Sequence, residues 1–200
     1  MRKHVNKAKR NAIIVGVFIV VLMFGSVLAL FANPIASRAT TARYNGLDFV
    51  LTNNGWTVWL GQQQISFAYL PFDLENITMP NTINRDAAKI YIVNEIPEEI
   101  NAFYPLERIK SIIYYYTQAR FVEACITEER CDDEKPIIDC GTAEAQAIVF
   151  TAGNGTKTYK DYQCLVFQFD SNSNESLSTI NSEIDMTSER IIYSILGIMS

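Results

Sequence analysis
Four cysteines are the residues best placed to do chemistry: Cys125, Cys131, Cys140 and Cys164. The chain's one histidine is His4, near the start. Beyond that position no Ser-His-Asp or Cys-His arrangement can form, and neither can the usual histidine-bearing zinc sites. The cysteines have no C-x-x-C spacing, which argues against a zinc ribbon and against a thioredoxin-like redox pair. An even number of cysteines points instead to disulfides in an oxidising compartment. Four cysteines admit three pairings. The favoured one joins Cys125 to Cys131 around a short polar loop, and Cys140 to Cys164 across the flanks of an expected hairpin.

Carboxylates are the other chemical resource. A glycosidase needs only two acids at the right separation. The chain holds 22 acidic residues, and nothing in their spacing selects a pair. Residues 127–135, TEERCDDEK, carry five acids but lack the D-x-[DN]-x-[DN]-G pattern of a calcium loop. Asp170, Asn172 and Asn174 begin that pattern, and Glu175 then takes its glycine position. Both stretches read as solvated loops. Tyr114, Tyr115 and Tyr116 are consecutive, so they cannot share one helix face. One core tyrosine and two partly exposed ones are expected, with a ring-stacking surface for sugars as the sharper alternative. No catalytic residue, metal ligand or cofactor site is assigned. No Gly-rich phosphate loop or nucleotide fingerprint occurs.

These residues follow a segment of different character. Residues 12–32 are 21 residues without a charge, about 30 Å as a helix, which matches a bilayer core. Arg2, Lys3, Lys7, Lys9 and Arg10 precede it, with no acid among them. The positive-inside rule places residues 1–11 in the cytoplasm as a basic tail and the C-terminal part outside. The stretch exceeds the apolar core of a cleaved signal, so a retained single-pass anchor in the lipid bilayer is expected. A pilin-like subunit is an alternative, although the Gly-or-Ala cleavage position followed by glutamate is missing. Residues 33–43 form a linker, and 44–200 form the extracytoplasmic domain. After residue 32 the chain has 12 basic and 22 acidic residues, a charge of −10. Such a surface repels nucleic acid and anionic headgroups.

The elements that must position any site are α+β or α/β in class. Tyr44–Leu51, then Trp56, Val58 and Leu60, then Ile65, Phe67 and Tyr69 read as a three-stranded meander with an aromatic inner face. A β-α-β-β-α unit follows, its helices packed on a small sheet. Its parts are strand 89–93, a helix from about Pro105 to Ala124, strands 147–150 and 164–169 paired antiparallel, and a helix over 175–199. Three N-x-[ST] sequons, at Asn76, Asn154 and Asn174, mark sites where a glycan could be attached.

Tyr44-Asn45-Gly46 with Phe49, Trp56, Phe67, Tyr69 and Pro71 occurs together with Pro136-Ile137-Ile138 and Cys140. Gly155-Thr156-Lys157-Thr158-Tyr159 and Cys164 follow, and the chain ends with Arg190-Ile191-Ile192-Tyr193 and Leu196-Gly197-Ile198. Together these resemble a family of uncharacterised single-pass membrane proteins of small-genome archaea with a Cys-containing extracytoplasmic α/β domain. Glu189 stands where that family usually has aspartate, the stretch after Asp170 is longer, and the Cys125–Cys131 pair looks like a local addition. The resemblance implies an anchored outer domain and the Cys140–Cys164 bridge, and carries no activity. The function expected from the sequence is an extracytoplasmic, non-enzymatic envelope module that binds a cell-envelope protein or glycan or organises the surface. A carboxylate-based glycan hydrolase is the enzymatic alternative.

Overall fold
The structure is a computed structural model that describes residue 11 and residues 15–23, 40–79, 83–84, 86–117, 119–132, 134–171 and 176–199. The chain divides into two compact units, Met1–Thr40 and Thr41–Ser200. In the first, residues 15–23 are helical, with Val15 to Met23 exposed. Most of the apolar stretch 12–32, the basic tail before residue 11 and linker residues 33–39 lie outside the described residues. Among the described residues no helix is long and apolar enough to cross a membrane.

The second unit is α+β, with two sheets among its described residues. The first is an antiparallel meander of β1 (Thr41–Tyr44), β2 (Leu47–Thr52), β3 (Gly55–Leu60) and β4 (Gln63–Phe67). It has four strands where three were expected. Asn45-Gly46 breaks the first into a hairpin: both residues have positive φ, and Tyr44 pairs directly with Leu47. An Asn-Gly pair is suited to such a two-residue turn. Trp56 and Val58 lie opposite Phe67 and Ile65, so the expected aromatic face exists. Gly55 also has positive φ, and a Cβ there would collide with the Phe67 carbonyl.

The second sheet runs in the order β6-β5-β7-β9-β8. Its strands are β5 (Lys89–Glu95), β6 (Arg120–Ala124), β7 (Ala147–Gly153), β8 (Lys157–Asp161) and β9 (Cys164–Asp170). Helix α1 (Phe103–Tyr116) links β5 to β6, and α2 (Leu177–Ile195) follows β9. The unit is therefore β-α-β-β-β-β-α. Two expectations are corrected here. The first helix ends at Tyr116, because Thr117 caps it: its N–H and hydroxyl both bond the Ile113 carbonyl, at 3.0 and 2.7 Å. Residues 120–124 then form a strand parallel to β5. The strands around 149 and 166 pair in parallel, not antiparallel. The chain leaving β7 first builds the edge strand β8, then turns at Tyr162-Gln163 and inserts β9 between them.

The two sheet faces differ in their cover. Ile90, Ile92, Ile148, Phe150, Leu165, Phe167 and Phe169 share one core with the two helices and with Phe49, Val58 and Phe67 of the meander. The helices are thus packed between two sheets. Residues Thr187 to Ile195 of α2 are all buried, as a helix covered on every side requires. Helix α2 ends in a Schellman motif: Ile198 N–H bonds Tyr193 O at 2.9 Å and Gly197 N–H bonds Ser194 O at 3.1 Å, with Gly197 at φ 72°.

The opposite face, with Tyr91, Val93, Val149 and Val166, packs against Ile138 and the Cys140–Cys164 bridge. The crossover from β6 to β7 is the irregular segment 125–146. Both disulfides tie it down: Cys125–Cys131 with Cα atoms 5.6 Å apart, and Cys140–Cys164 at 5.3 Å. The expected pairs are therefore present, but Cys140–Cys164 does not staple a hairpin. It fastens the crossover to the first residue of a central strand, where Gln163 N–H also bonds Cys140 O. Two disulfides are what an oxidising, extracellular environment permits.

The bridges close loops of 24 and 6 residues. Chain entropy assigns them about 3.4 and about 2.2 kcal/mol respectively. Cys140→Ser is expected to lower stability by at least 1 kcal/mol more than Cys125→Ser, on the order of the difference between those two terms, in denaturant titrations of the oxidised protein. Non-reducing peptide mapping that joined Cys125 to Cys164 would contradict the arrangement.

Candidate functional site
Parallel strands of an open sheet present their C-terminal ends, and the loops leaving them, to ligands. Here β5 and β6 end beside the first turn of α1. Asn94, Ile96, Pro97, Asn101, Phe103 and Leu106 line a crevice of about 440 Å³ there, together with Glu98 and with four charged side chains that pair with one another, Glu107, Lys110, Glu123 and Lys135. Those charges form an alternating chain. Lys110 Nζ bonds Glu107 Oε1 at 2.7 Å and also Glu123; Lys135 Nζ lies 3.3 Å from Glu123 and 3.0 Å from Asp132. The Glu107–Lys110 pair is a helical i,i+3 contact. Glu123 reaches it only because residues 120–124 are a strand.

Burial opposes the charge on Lys110, yet the hydrogen bonds it donates to Glu107 and Glu123 hold its pKa above that of an ordinary lysine. The bond from Lys110 lowers the pKa of Glu123 against its own desolvation, with Lys135 adding to the effect. Each group is thus fixed in its charged form. A general acid needs the reverse, a carboxyl kept protonated near neutral pH. Glu123 is unsuited to that role.

A second cavity, of about 540 Å³, lies on the disulfide-bearing face and is lined by Glu95, Thr127, Glu129, Thr151, Tyr159 and Asp161. Glu95, at the end of β5, accepts the Ile126 N–H at 3.1 Å and so positions the start of the crossover. Chains leave β5 and β7 in opposite directions along the sheet, so this cavity sits at the topological switch point.

A third group is structural. Glu189 is buried in α2 and accepts N–H bonds from Ala68 and Tyr69 at 2.8 and 2.9 Å, and Arg108 at 2.5 Å. Arg108 also bonds the Ser66 carbonyl and lies over the Phe67 ring. One turn on from Glu189, Tyr193 stacks on Phe67 and donates to Tyr69 O at 2.8 Å. Burial raises the Tyr193 pKa. The chain after β4 is thereby locked to both helices.

The structure distributes the sequence candidates widely. Tyr116 is partly buried against the core, while Tyr114 and Tyr115 are exposed and in edge contact at 5.0 Å. Asn76 and Asn154 are exposed, whereas Asn172, Asn174 and Glu175 lie outside the described residues. The segments Asn76–Thr78 and Thr156–Thr158 meet along one groove, where the Thr158 hydroxyl bonds Thr78 O at 2.6 Å. In the acidic loop Asp132 pairs with Lys135. Among the described residues no three His, Cys, Asp or Glu side chains are grouped to hold a metal ion. Sequence reasoning missed Phe103, Glu107, Arg108, Lys110 and Glu123, and singled out Glu189 only as a departure from the resembled family, without its buried role. Only the Glu107–Lys110 spacing offered a local signal. No family model, curated protein or solved structure matches the chain.

Two outcomes are expected. Glu189→Gln places an amide NH₂ against backbone donors and leaves Arg108 uncompensated, and should cost about 3 kcal/mol in denaturant unfolding. The ion chain has two pH limits. Glu123, with a depressed pKa, contributes stability that is present above the ordinary carboxylate range and lost as pH falls through its folded value. Lys110, with a raised pKa, contributes stability that is lost as pH rises through its folded value. Lys110→Met should therefore flatten the acid limb of a melting-temperature profile below about pH 5. An unchanged acid limb would show that this chain of charges contributes nothing.

Proposed function
We propose that this protein is a membrane-held, extracytoplasmic binding module without an enzymatic reaction of its own. The observation that carries this reading is the crevice at the ends of β5 and β6. Glu107, Lys110, Glu123 and Lys135 pair with one another there, and Lys110 and Glu123 favour each other's charged form, an arrangement suited to holding a ligand rather than to moving protons. The external placement is supported by the two disulfides and by the basic residues before the uncharged stretch 12–32. The resemblance to anchored archaeal outer domains points the same way.

The alternative, a carboxylate-based glycan hydrolase, is favoured by one observation: Glu95, Glu129 and Asp161 share the switch-point cavity. The two readings separate by experiment. Protease added to intact cells should digest the domain beyond residue 43 and spare the N-terminal segment. Full protection of that domain would overturn the placement. Release of reducing ends from cell-envelope glycans by the full chain, abolished by Glu95→Gln, would overturn the non-enzymatic reading.

A further inference from the structure
We infer that the crevice between β5, β6 and the first turn of α1 takes a neutral saccharide unit of a glycan chain, with Phe103 as the stacking platform. This rests on the binding-module reading and names the ligand class of the same site.

Charge sets the first constraint. Glu98, Glu107 and Glu123 face Lys110 and Lys135 around the crevice, leaving a net negative balance. A phosphate, carboxylate or sulfate would meet no uncommitted cation there, and the external chain around it is acidic as well. The lining is also too polar for a lipid tail, since seven of its sixteen residues are charged or amide-bearing.

What remains is hydrogen-bonding capacity without a demand for charge. An ammonium has three donors, and Lys110 directs two of them to Glu107 and Glu123. Each carboxylate has about four lone-pair positions, of which these ion pairs occupy one or two. Asn94 commits its carbonyl oxygen to Ile96 N–H at 3.2 Å, so its NH₂ remains to donate. Donors and acceptors therefore alternate along one wall. A hydroxyl both donates and accepts, and a row of hydroxyls on a ring matches such a wall.

The rim supplies the apolar half of the match. Phe103 is 63% exposed at the mouth of the crevice and is held edge-on against Tyr104 at 5.4 Å between centroids. The exposed Phe103 ring presents an apolar face beside the polar wall, and the C–H face of a sugar ring is a fitting cover for it. The same helix face carries a second edge-on pair, Tyr114 and Tyr115, 11 residues further along. At the helical rise that is about 16 Å, so a ligand that continues as a chain meets aromatic rings again after leaving the crevice. A single compact molecule would use only the first pair.

The test uses the full chain in detergent, with three probes of equal length: a tetramer of N-acetylglucosamine, a tetramer of mannose and a tetramer of galacturonic acid. Titration calorimetry should detect binding of at least one neutral tetramer and weaker or no binding of the acidic one. Phe103→Ala should weaken binding at least tenfold, and Phe103→Trp should preserve it. Tyr162→Ala, which removes an exposed ring from the β8–β9 turn, should leave it unchanged. Because Phe103 is largely exposed, its variants should melt as the parent does. Failure of both neutral tetramers to bind, tighter binding of the acidic one, or equal loss from Tyr162→Ala would overturn the saccharide assignment. If no saccharide binds but an envelope protein cross-links through residue 103 in native membranes, the saccharide assignment falls and the binding-module reading survives.

Discussion

A helix wedged between two sheets has no solvent face on which to place its polar side chains. That constraint governs α2, whose residues from Thr187 to Ile195 are all buried. An isolated carboxylate in such a place would be expelled or protonated. Glu189 is kept by two backbone N–H groups from Ala68 and Tyr69 and by Arg108 from α1. The same contacts fix where the chain leaves the meander and how α1 lies against it. Tyr193, one turn away, repeats the device with a phenol bonded to Tyr69 O. The meander, the chain that leaves it and the two helices thus meet at one hydrogen-bonded junction.

Among the described residues no α-helix covers the other face of the second sheet. In a parallel sheet both faces need cover. Here an irregular crossover supplies it, contributing Ile138 and the Cys140–Cys164 bridge to a small core. A loop of this kind buries little apolar surface and loses much conformational freedom on ordering. The two disulfides lower that cost by restricting the unfolded chain. They do for this face what α1 and α2 do for the opposite one.

Function is read from what the architecture leaves open. The helices cover one side of the sheet, and openings remain where strands end. At one opening a chain of paired charges borders an exposed ring; at the other, three carboxylates line a cavity. The first suits recognition of hydroxyl-rich ligands. Its geometry depends on β6 lying beside α1, because only then does Glu123 join Lys110 to Lys135.

Much of this could be read in residue order. The aromatic face of the meander, the strand at 89–93, the apolar stripe of α2 and the short Cys125–Cys131 loop follow from local periodicity, turn residues and cysteine spacing, whereas Cys140–Cys164 was expected across a hairpin that the parallel pairing of β7 and β9 replaces. These are short-range properties, set by which side chains share a face two, three or four positions apart. Asn45-Gly46 was an available signal for the extra hairpin. Other features were decided by contacts between distant segments. Phe121 and Glu123 fit a helical pattern as well as a strand, and pairing with β5 settles the matter. Strands β7 and β9 are parallel because β8 occupies the edge, a choice of sheet order that neither strand's own residues encode. Glu189 reads as a surface glutamate until the N–H groups of residues 68 and 69 arrive from over a hundred positions away. Burial of a charge depends on partners brought by the fold, so the roles of Glu189, Arg108 and Glu123 could not be read from sequence order.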